Sequence, residues 1–263
     1  METGLAGKCA IVCAASKGLG RASALSLARD GARVVMCARH EEALAAAAGD
    51  IRRETGAELV PVVADVSNAA DITRLIDTAT AALGGIDILV TNTGGPKSGP
   101  FESLADEDWT AAIDSLLLSV VRLCRGVVPS MRARGGGRII HVTSVSVKQP
   151  IEGLVLSNAL RAAVTGLSRT LANELAADNI LVNCVAPGYT RTDRVIELAE
   201  ATAARENTTA EVVQRRTEEK IPLKRLGTPA EFGDVVAFLA SERSSYVTGT
   251  TLQVDGGFVR SLL

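Results

Sequence analysis

Three polar residues are the first candidates for chemistry in this sequence. Ser144 follows an apolar run, Ser157 stands thirteen residues later, and Arg161 lies four residues beyond it. Residues four apart lie on one face of a helix, so Ser157 and Arg161 should face the same site. A serine hydroxyl is a very weak acid and arginine stays protonated. Ser157 and Arg161 are therefore poorly suited to direct proton exchange.

Other side chains could supply a proton near this trio. Tyr189 follows a Pro-Gly pair, and Lys148 and Glu152 lie between the two serines. Tyr189 is the first candidate, although an aromatic residue beside a ligand more commonly forms a pocket wall. His141 lies inside an apolar strand pattern, which favours a hydrogen-bonded core histidine over a catalytic base.

Short apolar runs alternate with helical patterns along the whole chain. The runs span residues 9–14, 33–38, 58–64, 86–91, 138–144, 180–186 and 251–255. Nearly all of their residues are apolar, as expected for parallel strands covered on both faces. Segments 113–131 and 156–175 have the apolar spacing of amphipathic helices. The alternation predicts an α/β fold of the Rossmann type, with a doubly wound, seven-stranded parallel sheet, helices on both faces, and one domain over residues 1–263.

The first strand leads into a glycine turn, A-S-K-G-L-G at residues 15–20. Gly18 permits a tight turn, and Gly20 permits close packing of the following helix on the strand. The amino terminus of that helix offers free N–H groups and the positive end of its dipole to a pyrophosphate. Strand, turn and helix in this order predict a dinucleotide site, with a purely structural turn as the alternative.

Two basic side chains indicate which dinucleotide is bound. The second strand ends at Arg39 without the acidic residue that would bond the ribose hydroxyls of NAD and repel a 2′-phosphate. Lys17 lies in the glycine turn. Both side chains could pair with a 2′-phosphate, which favours NADP(H) over NAD(H). The alternative for each is an ordinary solvated surface charge.

These motifs together resemble the short-chain dehydrogenase/reductase family over almost the whole chain. The resembling segments are C-A-A-S-K-G-L-G (13–20), with Ala14 in place of the first glycine of T-G-x-x-x-G-x-G, T-N-T-G (91–94), P-G-Y-T-R-T (187–192), P-L-K-R-L-G (222–227) and V-D-G-G (254–257). The methyl group of Ala14 would crowd any position that requires a positive φ.

The resemblance implies a set of residues that contact the cofactor. They are Ser16, Lys17, Gly18, Leu19, Gly20, Arg39, Asp65, Val66, Asn92, Gly94, Arg161, Pro187, Gly188, Thr190 and Thr192. Asp65 resembles a residue beside the adenine; its alternative is a helix cap, for which Ser67 or Asn68 is better placed. The resemblance also implies a small-molecule substrate and a homotetramer, or a dimer, packed through the two long helices and the last strand.

Three of the four polar positions that the family uses for catalysis are altered. The family has a serine that orients the carbonyl, a tyrosine that exchanges the proton, a lysine on the nicotinamide ribose and an asparagine that holds a relay water. Ser144 matches the first, whereas Ser157, Arg161 and Leu116 occupy the other three. Arg161 can still donate to ribose hydroxyls. The alternative for Ser157 is a hydroxyl bonded only to the helix backbone.

A charged helical segment, residues 190–222, interrupts the alternation just after a strand. Ligands bind at the carboxyl ends of strands in such sheets, and long insertions there are usually functional. We expect a substrate lid, with an ordinary surface excursion as the alternative.

Composition excludes several classes of partner. The net charge is -2 with no basic, aromatic-rich patch, which argues against nucleic acid. Five cysteines without C-x-x-C or zinc-ligand spacing predict reduced core residues, no metal site and a cytoplasmic protein. No targeting segment and no run of eighteen apolar residues is present, which argues against a membrane.

Three functions are compatible with these features. The favoured one is an NADP(H)-dependent oxidoreductase of a carbonyl or alcohol, in which the proton comes from water, the substrate or another side chain. Positioning of donor and acceptor alone lowers a barrier substantially. The alternatives are a dinucleotide-binding module or sensor that has lost catalysis, and a non-redox enzyme that uses the enlarged pocket.

Overall fold

Seven parallel strands form the centre of the computed structural model, which describes residues 2–262. They are β1 (Cys9–Val12), β2 (Arg33–Ala38), β3 (Leu59–Val63), β4 (Ile88–Thr91), β5 (Gly137–Val142), β6 (Ile180–Pro187) and β7 (Thr251–Val254), in the order β3-β2-β1-β4-β5-β6-β7. The predicted doubly wound, seven-stranded sheet is confirmed. The strand order reverses between β1 and β4, so a crevice opens at their carboxyl ends, where ligands bind in such sheets.

Helices cover both faces of this sheet. They are α1 (Gly18–Arg29), α2 (Glu41–Thr55), α3 (Ala69–Leu83), α4 (Asp106–Ala112), α5 (Ser119–Ala133), α6 (Val155–Leu175), α7 (Asp193–Glu206), α8 (Ala210–Lys220) and α9 (Pro229–Ala240). One core lies under α1, α2 and α9 and includes Leu27, Leu44 and Phe232. The other lies under α3, α5 and α6 and includes Leu75, Leu123 and Val164. The five inner strands are therefore apolar on both faces because both faces are buried, whereas the edge strands β3 and β7 are partly exposed.

The predicted helix over 113–131 is interrupted in the structure. Residues Ile113–Leu118 form a π-helical segment between α4 and α5. Leu116, in this segment, is buried and packs with Leu156 and Leu160 of α6 in a small apolar cluster. π-Helical turns are rare and occur mostly at functional sites. Here the turn sets an apolar side chain against the helix that carries Ser157.

Asparagine and threonine side chains fix the starts of several helices. Asn68 accepts hydrogen bonds from the N–H groups of Ala70 and Asp71 at the start of α3. Thr228 and Glu231 form a reciprocal capping box at the start of α9, which satisfies two otherwise unpaired donors. Within the described residues, no helix is both long and apolar enough to cross a membrane.

Candidate functional site

The glycine turn lies at the carboxyl end of β1 and leads directly into α1. Gly18 has φ +56°, and a Cβ atom on Gly20 would lie 2.2 Å from the carbonyl oxygen of Ala14. Lys17 precedes α1 without a side-chain cap, and the first turn of this helix, which the structure describes completely, has no acidic residue. The N–H groups of that turn are therefore available to an anion.

Ala14 occupies a position whose backbone suits glycine. Its φ is +48°, in the left-handed region, where an L-residue with a Cβ atom costs about 1–2 kcal/mol. The crowding expected from the sequence thus occurs. The conformation is retained because the Ala14 carbonyl packs directly over Gly20.

We expect Ala14→Gly to stabilise the folded protein by about 1 kcal/mol, because it removes this backbone strain. Chemical denaturation measures the change in free energy of unfolding. The matched control is Ala46→Gly, at an exposed position inside α2 with ordinary helical backbone, which should destabilise by about 1 kcal/mol. Equal destabilisation by both changes would contradict the strain at Ala14.

The two cations predicted to select the cofactor differ in their surroundings. Arg39 directly follows β2, is exposed, and has no hydrogen-bond or ion-pair partner among residues 2–262. Lys17 forms an ion pair with Asp193, the first residue of α7, at 3.1 Å. Thr192 also lies 3.5 Å from where a Cβ atom on Gly18 would stand. The glycine turn therefore contacts the base of the predicted lid.

The other predicted cofactor positions follow the ends of β3 and β4. The Asp65 carboxylate accepts hydrogen bonds from the N–H and hydroxyl of Ser67 at 2.9 and 2.8 Å, so Asn68 and not Asp65 caps α3. Val66 packs against the core under α3. The Asn92 amide borders Gly20, whereas Gly94 lies in an exposed loop.

The structure brings Ser144, Ser157 and Arg161 together at the carboxyl end of β5. Ser144 Oγ accepts a hydrogen bond from the Ser146 N–H at 3.1 Å. Arg161 donates from Nε to Ser157 Oγ at 3.2 Å, and from Nη1 to the carbonyls of Val142 and Thr143 at 3.0 and 3.1 Å. The Ser157 hydroxyl thus bonds a side chain, and no bond from it to the helix backbone occurs in the described residues.

Both serine hydroxyls can still donate a hydrogen bond. Ser144 and Ser157 each act as hydrogen-bond acceptor toward the protein, and neither donates to any group within residues 2–262. A hydroxyl that accepts one hydrogen bond can still donate its own proton. The pair can therefore donate two hydrogen bonds to one ligand oxygen.

Arg161 is a half-buried cation with neutral partners. Desolvation, and secondarily the Arg194 guanidinium, lowers its pKa to about 10, so it remains charged at neutral pH. Arg194 lies at the start of α7 and donates to the Pro96 carbonyl at 3.2 Å in the loop after β4. Sequence reasoning missed Arg194, although a cation two residues past the P-G-Y-T-R-T segment was a usable signal.

Asn158 was also missed. Its amide donates to the Ile151 carbonyl at 2.9 Å and accepts from the Ile151 N–H at 3.3 Å. These two bonds tie the loop between β5 and α6 to the helix that carries Ser157. The loop also forms a backbone bridge between Leu154 and Gly99, so it is held from two sides.

The three candidates for an alternative proton donor differ in their surroundings. The ring of Tyr189 packs edge-on against Phe258, with centroids 5.1 Å apart, and burial raises its pKa. This environment favours a pocket wall over an acid near neutrality. Lys148 is half-buried and Glu152 exposed in the loop between β5 and α6.

The remaining predicted positions form the base of α7. Gly188 donates to the Val254 carbonyl at 3.0 Å, and a Cβ atom on it would stand 2.6 Å from Asp255 Cβ. Thr190 is buried and forms a backbone bridge with Gly227. Pro187 ends β6, so the segment 187–192 leaves the sheet beside the crevice.

His141 is a core residue bonded to β4. Its Nδ1 atom lies 2.9 Å from Thr91 Oγ1, and its side chain is fully buried. Desolvation lowers its pKa from 6.5 to about 4. The interpretation of a hydrogen-bonded core histidine is supported by these contacts.

We expect His141 to make the fold acid-sensitive. Its unfolded form binds a proton below pH 6.5 and its folded form only near pH 4, so stability is complete above pH 6.5 and falls by about 3 kcal/mol as the pH drops to 4. Denaturation of the protein and of His141→Gln at several pH values measures this loss. Identical pH profiles for the two proteins would contradict the assignment.

Comparison with known proteins identifies relatives that match nearly the whole chain. Residues 13–259 match the family model described as enoyl-(acyl carrier protein) reductase. Dehydrogenase/reductase SDR family member 4 of Oryctolagus cuniculus is 39% identical over 254 residues, covering 96% of this chain and 94% of that protein. The 3-oxoacyl-(acyl-carrier-protein) reductase of Chlamydia muridarum is 33% identical, covering 98% and 99%.

A solved structure shares the whole architecture. L-sorbose reductase from Gluconobacter frateurii, complexed with NADPH and L-sorbose, superposes with a TM-score of 0.95 at 35% identity, and each chain is covered completely.

Proposed function

Because the chain belongs to the short-chain dehydrogenase/reductase family of oxidoreductases, we propose that it transfers hydride between NADP(H) and a carbonyl or alcohol substrate, with non-standard proton transfer. The observation that carries this proposal is the pair of serine hydroxyls with free protons, Ser144 and Ser157, at the carboxyl end of β5. They would bind the reacting oxygen, although the family's phenolic acid is replaced.

The glycine turn fits a dinucleotide, because Gly20 lets the turn pack directly against the start of α1 and α1 begins without competing acids. We propose that residues 16–20 hold the pyrophosphate and that Lys17 and Arg39 pair with a 2′-phosphate. Asp65, Val66, Asn92 and Gly94 would border the adenosine side of the crevice. Arg161 and the segment 187–192 would hold the nicotinamide end, which supplies the hydride chemistry when bound.

The chain's own groups would then act on the substrate oxygen. Ser144 and Ser157 donate hydrogen bonds to it, and the positive charge of Arg161 behind Ser157 stabilises negative charge that develops there. Since a serine hydroxyl does not ionise near neutrality, Ser157 would give its proton to the substrate alkoxide while taking one from a water molecule, and the hydroxide left behind would exchange with solvent. The volume left by the absent phenol ring would accommodate that water.

The packing of Leu116 favours a second candidate function. This residue packs in an apolar cluster at the position where the family holds a relay water. A dinucleotide-binding module without turnover would explain that packing. Calorimetry with NADPH and steady-state NADPH consumption with ketones, quinones and imines distinguish the two. Binding with consumption supports the oxidoreductase, binding without consumption supports the module, and absence of binding contradicts both.

Arg39 should determine the preference for NADP(H). We expect Arg39→Asp to weaken NADPH binding at least about tenfold and to strengthen NADH binding, because a charge-assisted bond to the 2′-phosphate becomes a repulsion. Calorimetric dissociation constants for both cofactors measure the switch.

The charge-matched control for this change is Arg205→Asp, on the exposed surface of α7, which should alter neither constant. If Arg39→Asp leaves the NADPH to NADH ratio unchanged, the selectivity resides elsewhere.

We further propose that α7 and α8 form a substrate lid, in line with their position after β6. The ion pair between Lys17 and Asp193 joins this lid to the glycine turn. We also propose one domain over residues 1–263, a homotetramer or dimer, and a cytoplasmic location, to which five free, buried cysteines are suited.

A further inference from the structure

The start of α7 lies directly against the glycine turn. Lys17 Nζ forms an ion pair with Asp193 Oδ2 at 3.1 Å, and Thr192 lies 3.5 Å from the place of a Cβ atom on Gly18. Within residues 2–262 the ammonium group of Lys17 has no other ion-pair or hydrogen-bond partner. In the part of the chain that the structure describes, Lys17 is therefore directed toward α7.

The cofactor's 2′-phosphate would approach Lys17 from the other side. Arg39 follows β2, which borders β1 on the side opposite β4. Asp193 comes after β6, which lies beyond β4 and β5 in the same sheet. The glycine turn follows β1 and so stands between these two positions. One ammonium group on a single side chain cannot reach a phosphate beside Arg39 and also keep its contact with Asp193.

Asp193 remains a negative charge when Lys17 leaves it. It is the first residue of α7, where the positive end of the helix dipole favours a carboxylate. Lys17 is its only ion-pair partner within residues 2–262. A 2′-phosphate must therefore draw Lys17 away from this carboxylate, whereas NAD(H), which has a ribose hydroxyl in that place, can leave the ion pair intact.

We infer that Asp193 is a specificity-determining residue, which competes with the 2′-phosphate of NADP(H) for Lys17. This inference rests on the proposed function and adds to it a residue that reduces the preference for NADP(H) set by Lys17 and Arg39. Both partners of the ion pair are mostly exposed, with 69% and 64% of their side-chain surface accessible. Exposed ion pairs are weak, so the competition should cost a few-fold in affinity without preventing NADP(H) from binding.

Asp193→Asn tests the inference because it removes the charge and keeps the size of the side chain. Calorimetry should show an NADPH dissociation constant about threefold lower in this variant and an unchanged constant for NADH. Damage to α7 would weaken binding, so it cannot produce this gain. The matched control is Glu200→Gln, at an exposed position of the same helix, which should change neither constant.

The same change in a Lys17→Gln background shows whether Asp193 acts through Lys17. Lys17→Gln alone should weaken NADPH binding, because it removes a charge-assisted bond to the 2′-phosphate. Adding Asp193→Asn to it should then have no effect, because the ion pair is already absent. The four NADPH dissociation constants form a double-mutant cycle that isolates this coupling.

Three results overturn the inference and leave the proposed function standing. They are an NADPH constant that Asp193→Asn does not lower, a gain of equal size for NADH, and a gain that persists in the Lys17→Gln background. The last two would show that Asp193 acts by general repulsion of an anion. If NADPH does not bind the unchanged protein, the proposed function fails and the inference fails with it.

Discussion

The double change Ser157→Tyr with Arg161→Lys should raise carbonyl reduction by roughly 10²–10⁴-fold in kcat/KM, the contribution typical of a positioned general acid. Ser157 and Arg161 have the spacing of the family's tyrosine and lysine and lie together beside Ser144 at the end of β5. A phenol has a pKa near 10, which a neighbouring cation lowers toward neutrality. NADPH consumption with one ketone, measured for both proteins, gives the ratio.

The control for this gain is Ser157→Phe with Arg161→Lys, which adds the same ring without its hydroxyl. It should leave kcat/KM no higher than that of the starting protein, because only the phenol supplies an acid. A gain of equal size in the phenylalanine variant would show that the ring's packing and not proton transfer had limited the reaction. An unchanged rate in the tyrosine variant would contradict the role given to position 157.

Leu116 sets a limit on this restoration. Its side chain packs with Leu156 and Leu160, the residues of α6 that precede Ser157 and Arg161. A relay water held at position 116 would disturb that apolar contact. The proton in the restored site would therefore still arrive from the crevice side, so the gain belongs in the lower part of the range.

The fold could be predicted from the sequence because each strand is identified by its own run of apolar residues. Strand β2 is confirmed with its predicted bounds, 33–38, since consecutive apolar residues that are buried on both faces need no knowledge of their neighbours. The π-helical turn at Ile113–Leu118 was not predictable in this way, because the apolar spacing of an α-helix continues through it. A single extra residue in one turn changes the face that later residues present.

Sequence patterns predict only part of the candidate site. Spacing placed Ser157 beside Arg161, because residues four apart meet on a helix. The carbonyls of Val142 and Thr143 that anchor the guanidinium come from a different strand, and no pattern within α6 specifies them. Arg194 reaches the crevice through the path of the chain after β6, which depends on the bridge between Thr190 and Gly227.

The positive charge of the crevice has a consequence for the cofactor. The oxidised nicotinamide ring is a cation and the reduced ring is neutral, so a positive Arg161 beneath the ring would favour the reduced form electrostatically. In the family this charge is offset when the tyrosine ionises, which Ser157 cannot do. Ser157 and Arg161 should therefore make the site bind NADPH more tightly than NADP⁺.

Gly20→Ala should abolish NADPH binding, with a loss of affinity of at least about 100-fold. The new Cβ would lie 2.2 Å from the Ala14 carbonyl oxygen, 2.8 Å from its carbon and 2.9 Å from Asn92 Nδ2. Two of these atoms belong to backbone that is already strained at φ +48°, so the turn must move away from α1. Displacing α1's N–H groups removes the preorganised anion site, and calorimetry with NADPH measures the loss.

The matched control is Gly49→Ala, also a helical glycine, whose Cβ would make only an ordinary 3.5 Å contact with Arg53. It should stabilise α2 by about 1 kcal/mol and leave NADPH binding unchanged. Thermal unfolding separates a local from a global effect: a cooperative transition in Gly20→Ala, together with absent binding, assigns the loss to the turn. Binding of normal affinity in that variant would show that the dinucleotide is held elsewhere, because no pyrophosphate can occupy this turn once it is displaced.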